Sequence, residues 1–160
     1  MGENLGYFIT WTTYGTWLPG DHRGWVDRKR KHGEGAEDSR PALASVARGT
    51  LVEPPLILDR PLRAIVEQVI RRICGENQWR LQTLQVRSNH VHLVVTAPAV
   101  GPGHVMALLK VRATQALRGV IPRRHYWTRY GSMRYLKTET SLQAAIRYVL
   151  DQDKPDRHMP

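Results

Sequence analysis

The spacing of apolar and polar positions separates strands from helices along most of the chain. Leu5–Thr13 (LGYFITWTT) is dense in aromatic and β-branched residues and fits no helical stripe, which predicts a first strand. From Tyr14 to about Pro55 glycine and proline recur, and a basic run, Arg28-Lys29-Arg30-Lys31-His32, lies among them. So long a stretch without periodicity predicts a loop-rich insertion at about 14–57, ordered in its first part around Trp17 and Trp25 and mobile from Arg28 to Ser45. Asp59 can then cap a helix with Pro61 in its first turn, and Leu62, Ile65, Val66, Val69, Ile70 and Ile73 form one buried stripe that Gly75 ends. Trp79–Val86 and His90–Thr96 read as two strands joined by the short polar link Arg87-Ser88-Asn89. Gly103 precedes a second helix, roughly His104–Leu117, and a last strand is expected within Tyr126–Leu136. Thr140-x-x-Gln143 has the form of a capping box opening a third helix with the stripe Leu142, Ala145, Ile146 and Val149, closed by Pro155.

The order is β–(insertion)–α–β–β–α–β–α. Two helices separated by a central hairpin predict an α+β fold: a ferredoxin-like antiparallel sheet with helices on one face and an extra C-terminal helix. The chain is 160 residues long, which suits a single domain over 1–160. One cysteine, Cys74, excludes an internal disulfide and any multi-cysteine metal site, and is most simply a small buried residue. No apolar run reaches the ~18–20 residues of a membrane span, and Met1-Gly2-Glu3-Asn4 does not begin a signal peptide, so a cytoplasmic protein without a membrane partner is expected.

Charge narrows the function. Twenty-four Lys and Arg against 14 Asp and Glu give a net charge of +10, and so basic a domain attracts polyanions, nucleic acid first among them. Lys110, Arg112, Arg118, Arg123 and Arg124, with Arg129 and Arg134 further on, concentrate this charge on the second helix and the stretch after it, and are candidate phosphate contacts. Trp17 and Trp25 can stack on bases or tuck the insertion against the body.

The densest chemical signal is Ser88-Asn89-His90-Val91-His92. On a strand His90 and His92 point to the same face with Cα atoms ~7 Å apart, so both imidazoles can reach one cation. Spacing alone equally allows two histidines on a polar sheet face. On the last helix Tyr148 and Gln152 are one turn apart, ~110° and ~70° to one side of the apolar stripe by helical geometry. That margin permits either an overhang onto a site on the sheet or a boundary tyrosine with a solvated glutamine. His22, His32, His104, His125 and His158 are scattered and read as surface histidines, and Tyr126, Tyr130 and Tyr135 as packing or stacking residues.

His90-Val91-His92 resembles the His-hydrophobic-His motif of HUH single-strand nucleases, and Tyr148-Val-Leu-Asp-Gln152 resembles the tyrosine-bearing helix of single-tyrosine transposases. With the β–α–β–β–α–β–α order and the aromatic start Tyr7-Phe8-Ile9-Thr10-Trp11, the chain is similar to the IS200-type transposases, including REP-associated tyrosine transposases, over roughly 5–13 and 58–152. Gln152 in Asp151-Gln152-Asp153-Lys154-Pro155 is closer to insertion-sequence members than to REP-associated ones, many of which carry Asn-Pro after the tyrosine.

The resemblance implies a divalent metal, Mg²⁺ or Mn²⁺, held by His90, His92 and Gln152, with Tyr148 as nucleophile. It implies a metal-dependent endonuclease or transposase that binds single-stranded or hairpin DNA and cleaves it through a covalent 5′-phosphotyrosine. It also implies a homodimer if the chain follows its insertion-sequence relatives, and a monomer if it follows the REP-associated ones. The alternative is a catalytically inactive or domesticated hairpin DNA- or RNA-binding protein. A phosphoesterase with two His-x-Thr/Ser motifs is disfavoured because neither motif occurs.

Overall fold

The computed structural model describes residues 4–16 and 51–151. Expectations for Trp17, Trp25, the basic run from Arg28, Gln152 and Pro155 lie outside the described residues. Four strands, β1 (Gly6–Thr12), β2 (Arg80–Val86), β3 (His90–Thr96) and β4 (Ser132–Leu136), form one sheet in the order β2-β3-β1-β4. Every neighbouring pair is antiparallel. The helices are α1 (Arg60–Glu76), α2 (Pro102–Arg118) and α3 (Glu139–Asp151). This is the expected α+β, ferredoxin-like sheet, with the third helix in addition.

Local chemistry fixes the helix ends. The Asp59 carboxylate accepts from the Leu62 N–H at 3.1 Å, with Pro61 in the first turn where a missing N–H costs nothing. Gly75 does not end α1. The helix runs one residue further, Asn77 caps it with its side-chain amide on the Ile73 carbonyl at 2.8 Å, and Gln78 takes the left-handed turn at φ 58°. The cap of α3 also differs from the expectation at Thr140. The Thr138 hydroxyl accepts from the Ser141 N–H at 3.1 Å and the Ser141 hydroxyl accepts from the Thr138 N–H at 3.2 Å, a reciprocal pair two residues earlier. Gln143 instead donates to the Glu139 carboxylate at 3.0 Å.

The helices divide between the two faces of the sheet. Tyr7, Ile9, Trp11, Val91, Leu93 and Val95 point to one face and bury against the stripes of α1 and α2, with Cys74 among them. Residues of opposite parity, Phe8 and Val94, face the other way and pack with Leu136, Leu142, Ala145, Ile146 and Val149. The third helix therefore covers the second face, which is why β3 is buried on both sides from Val91 to Val95.

The insertion begins and returns at the end of β1. The Leu56 N–H donates to the Tyr14 carbonyl at 2.9 Å, the Val52 N–H to the Tyr14 hydroxyl at 3.1 Å, and the Leu58 N–H to the Ser88 carbonyl at 2.7 Å. The stretch from 121 to 131, part of which was expected to be strand, is a loop that meets the chain just after β1 through a bridge between Thr13 and Trp127. Among the described residues no helix is long and apolar enough to cross a membrane.

Candidate nuclease site on the second sheet face

His90 and His92 stand on the sheet face that α3 covers. Their ring centroids are 5.0 Å apart in an edge-to-face arrangement. Antiparallel pairing places Thr12 opposite His90, and Thr10 and Gln85 on either side of His92. This makes a polar row beside the apolar row Phe8–Val94.

His90 is oriented by its neighbour in sequence. Its Nδ1 lies 2.8 Å from Asn89 Oδ1, an acceptor that favours a proton on Nδ1. Asn89 is itself fixed, because its carbonyl accepts from the Thr13 N–H at 2.9 Å. The hairpin closes with the Arg87 N–H on the His90 carbonyl at 2.8 Å.

His92 is 3% exposed, and its Nε2 is buried without a hydrogen-bond partner. Burial pushes its pKa down to about 4, helped by the neighbouring His90 and by Arg87, so the ring is neutral at pH 7 with a lone pair to offer. An orphaned buried nitrogen costs ~1–3 kcal/mol, which a Lewis acid on it would remove. Two imidazoles on one face, one of them orphaned, fit a divalent cation. The described residues hold no group of three His, Cys, Asp or Glu, so a third protein donor must be of another type or lie elsewhere, as the Gln152 expectation requires.

Tyr148 belongs to the same face. It is 54% exposed, with its ring edge-to-face against Phe8 at 5.8 Å and against His92 at 6.3 Å. Its helix is held by Leu142, Ala145 and Val149, the stripe that put Tyr148 at the margin. The other tyrosines considered are placed differently. Tyr135 pairs with Tyr7 on the opposite sheet face, its ring 5.5 Å from that of Tyr7. Tyr126 is buried, its hydroxyl donating to the Ile121 carbonyl and accepting from the Arg123 N–H. Tyr130 is exposed in the loop at φ 83°.

The candidate phosphate contacts do not form one free row. Arg112 and Arg118 are exposed on α2, Arg118 lying over the Tyr126 ring. Lys110 donates to the Thr128 and Tyr130 carbonyls at 3.1 and 2.8 Å, and burial pushes its pKa down to about 8. Arg123 turns inward to the Pro54 and His125 carbonyls, whereas Arg124 is exposed. Asn89 was visible in the sequence only as the residue before His90. Arg134 was read from sequence only as one of the basic residues; its place, with the guanidinium 5.8 Å from the Phe8 ring, is set by the β1–β4 register, which no local signal gives.

The four-stranded antiparallel sheet with its three helices is an α+β fold of the ferredoxin-like class. The family model described as "Transposase IS200 like" matches residues 55–152, more than half of the chain, and the protein belongs to that family. A search of curated proteins finds no match. Among solved structures, a REP-associated tyrosine transposase bound to a REP hairpin is similar in fold, at 8% identity and TM-score 0.57, covering 95% of this chain and 67% of the other. A protein assigned as a transposase from Deinococcus radiodurans R1 matches at 17% identity and TM-score 0.48, covering 93% and 91%.

Proposed function

We propose that the protein is a metal-dependent single-strand DNA endonuclease of the transposase type, which binds hairpin or single-stranded DNA and cleaves it with Tyr148 as nucleophile. One observation carries the reading: the orphaned, neutral imidazole of His92 lies between the His90 ring and the half-exposed Tyr148 ring. Family membership and the hairpin named for the structural neighbour support the choice of substrate.

In this reading His90 and His92 hold a Mg²⁺ or Mn²⁺ ion, with Gln152 as a third donor. Bound there, the ion would polarise a phosphate oxygen and favour the phenolate, the two things a tyrosine with an ordinary pKa of ~10 needs. The chain's own residues do the rest. The Asn89 side chain helps set the orientation of the His90 ring. Phe8 and His92 brace the Tyr148 ring edge-on, and its exposure leaves the hydroxyl open to an incoming strand. The Tyr148 oxygen attacks phosphorus, and the bond to the 3′ oxygen breaks. The phenol gives up a proton and the released 3′ oxygen gains one. The 5′ side remains on the tyrosine as a phosphodiester, so no nucleotide cofactor is consumed. Arg134 beside Phe8 adds a positive charge to the same face.

The test is incubation with labelled hairpin and single-stranded oligonucleotides and Mn²⁺, followed by denaturing electrophoresis. Wild type and Tyr135→Phe should form a covalent adduct. Tyr148→Phe should bind DNA, fold normally and form none, since removing one half-exposed hydroxyl costs little stability. Undiminished cleavage by Tyr148→Phe would refute the assignment, and binding without cleavage by the wild type would favour the binding-only alternative.

A further inference from the structure

A second polar site lies at the base of the insertion. One Glu53 carboxylate oxygen accepts from the Arg124 N–H at 3.0 Å, the His125 N–H at 2.8 Å and His125 Nδ1 at 2.9 Å. The other lies 3.1 Å from the Arg124 N–H and 3.9 Å from Arg123 Nε. The Arg123 side chain is only 10% exposed, fixed by the Pro54 and His125 carbonyls and lying over the Tyr14 ring at 5.8 Å. Tyr14 also stacks on the His125 ring, centroids 4.9 Å apart. The donors are therefore pre-set. Desolvation pushes the Glu53 carboxyl up, but the backbone and side-chain donors of Arg124, His125 and Arg123 outweigh it and hold its pKa below the usual value.

Such a corner, two successive backbone N–H groups with a fixed guanidinium and an imidazole, is a ready receptor for any oxyanion. It opens on a cleft of about 530 Å³ lined by Val52, Glu53, Pro122, Arg123 and Arg124. The limb that carries Glu53 is tied separately, through the Val52 N–H, the Pro54 carbonyl and the Leu56 N–H, so the carboxylate can swing out without detaching it. The corner also lies at the histidine end of the sheet. Thr12 pairs with His90, Thr13 donates to the Asn89 carbonyl, and the next residue, Tyr14, stacks on His125.

We propose that the Arg123–His125 corner is a site for a backbone phosphate of single-stranded DNA, and that Glu53 occupies it in the free protein as a built-in competitor. The DNA occupant rests on the function proposed above; the anion site rests on the donors alone. A strand engaged at His90 and Tyr148 and long enough to reach the corner must displace the carboxylate, so Glu53 weakens the binding of such strands and leaves shorter ones unaffected.

The test compares Glu53→Gln, Glu53→Asp and Glu67→Gln, the last an exposed α1 residue that changes net charge equally. Binding of a fluorescent hairpin with a single-stranded extension is followed across a salt series. Glu53→Gln should bind several-fold tighter than Glu67→Gln, with the slope of log K on log salt steeper by ~0.7 for one more phosphate contact. Adding Arg123→Gln should remove both gains. Glu53→Asp keeps the charge but falls a methylene short, and should show part of the gain. Inorganic phosphate should move the amide NMR signals of Arg124 and His125 in both Glu53 variants far more than in wild type. Unmoved amides, with hairpin affinity no better than that of Glu67→Gln, would overturn the site and leave Glu53 a structural tie. Moved amides, with no variant binding the hairpin, would overturn the DNA occupant together with the functional reading.

Discussion

Replacing Asn89 with alanine tests the proposed metal site through a residue outside its donor set. The substitution removes the acceptor 2.8 Å from His90 Nδ1. The backbone link survives, because the Thr13 N–H donates to the Asn89 carbonyl rather than to the side chain. The stability lost is therefore that of about one hydrogen bond, ~0.5–1.5 kcal/mol. The expected effect on metal affinity is larger, since the His90 ring loses the acceptor that favours a proton on Nδ1 and helps set its orientation. Losing such an outer-shell partner costs roughly 10–100-fold in metal affinity, which is ~1.4–2.7 kcal/mol. Calorimetric Mn²⁺ titration of wild type, Asn89→Ala, Asn89→Asp and His90→Ala measures the effect. Asn89→Asp should retain or exceed wild-type affinity, because a carboxylate accepts the same bond more strongly. Nitrogen NMR shifts of the His90 ring should show one tautomer in wild type and a mixture in Asn89→Ala, without metal. Asn89→Ala binding Mn²⁺ within twofold of wild type, or a single tautomer persisting in it, would refute the reasoning.

Two further outcomes concern the loop on the other side of β1. Gly131→Ala would bring a Cβ within 2.4 Å of the Thr10 carbonyl and 2.8 Å of Met106 Sδ. Methionine can yield but the central strand cannot, so urea denaturation should show a loss of ~1–3 kcal/mol, and an unchanged midpoint would refute the clash. The Lys110 amine, with a pKa of about 8 against 10.5 for an ordinary lysine, loses its proton in the folded chain before it does in the unfolded one. The unfolded state then binds more protons between those values, so stability should rise as pH goes from about 8 toward 10.5, a rise absent in Lys110→Met by denaturation at each pH.

Much of the fold can be read from local patterns because the deciding interactions are local. The β3 bounds and the α1 stripe follow from residues within one element, and His90 and His92 share a face by strand parity alone. What escaped depends on distant partners. Thr140-x-x-Gln143 and Thr138-x-x-Ser141 both have capping residues at the right spacing, and the structure uses the second. Lys110 and Arg123 read as free cations, yet each meets carbonyls of a loop whose course past α2 and β1 has no local signature. That α3 lies on the second face was signalled faintly by the unbroken apolar run Leu93-Val94-Val95, which a sheet wet on one side would interrupt. For the site, the histidines and Tyr148 were legible, and their approach through Phe8 was not, since it needs the register of β1 against β3.

The two faces of the sheet are glued very unequally. One carries the broad core shared with α1 and α2, while the face bearing Tyr148 is sealed by Val94, Leu136, Leu142, Ala145 and Val149 with a few half-buried neighbours. Damage to the first face therefore collapses the whole domain, whereas damage to the second need only lift a 13-residue helix from a sheet that stays folded. The tyrosine thus travels on a detachable part and the histidines on a permanent one. Trimming any of the five sealing side chains should therefore loosen α3, and Tyr148 with it, from the strand that carries His90 and His92.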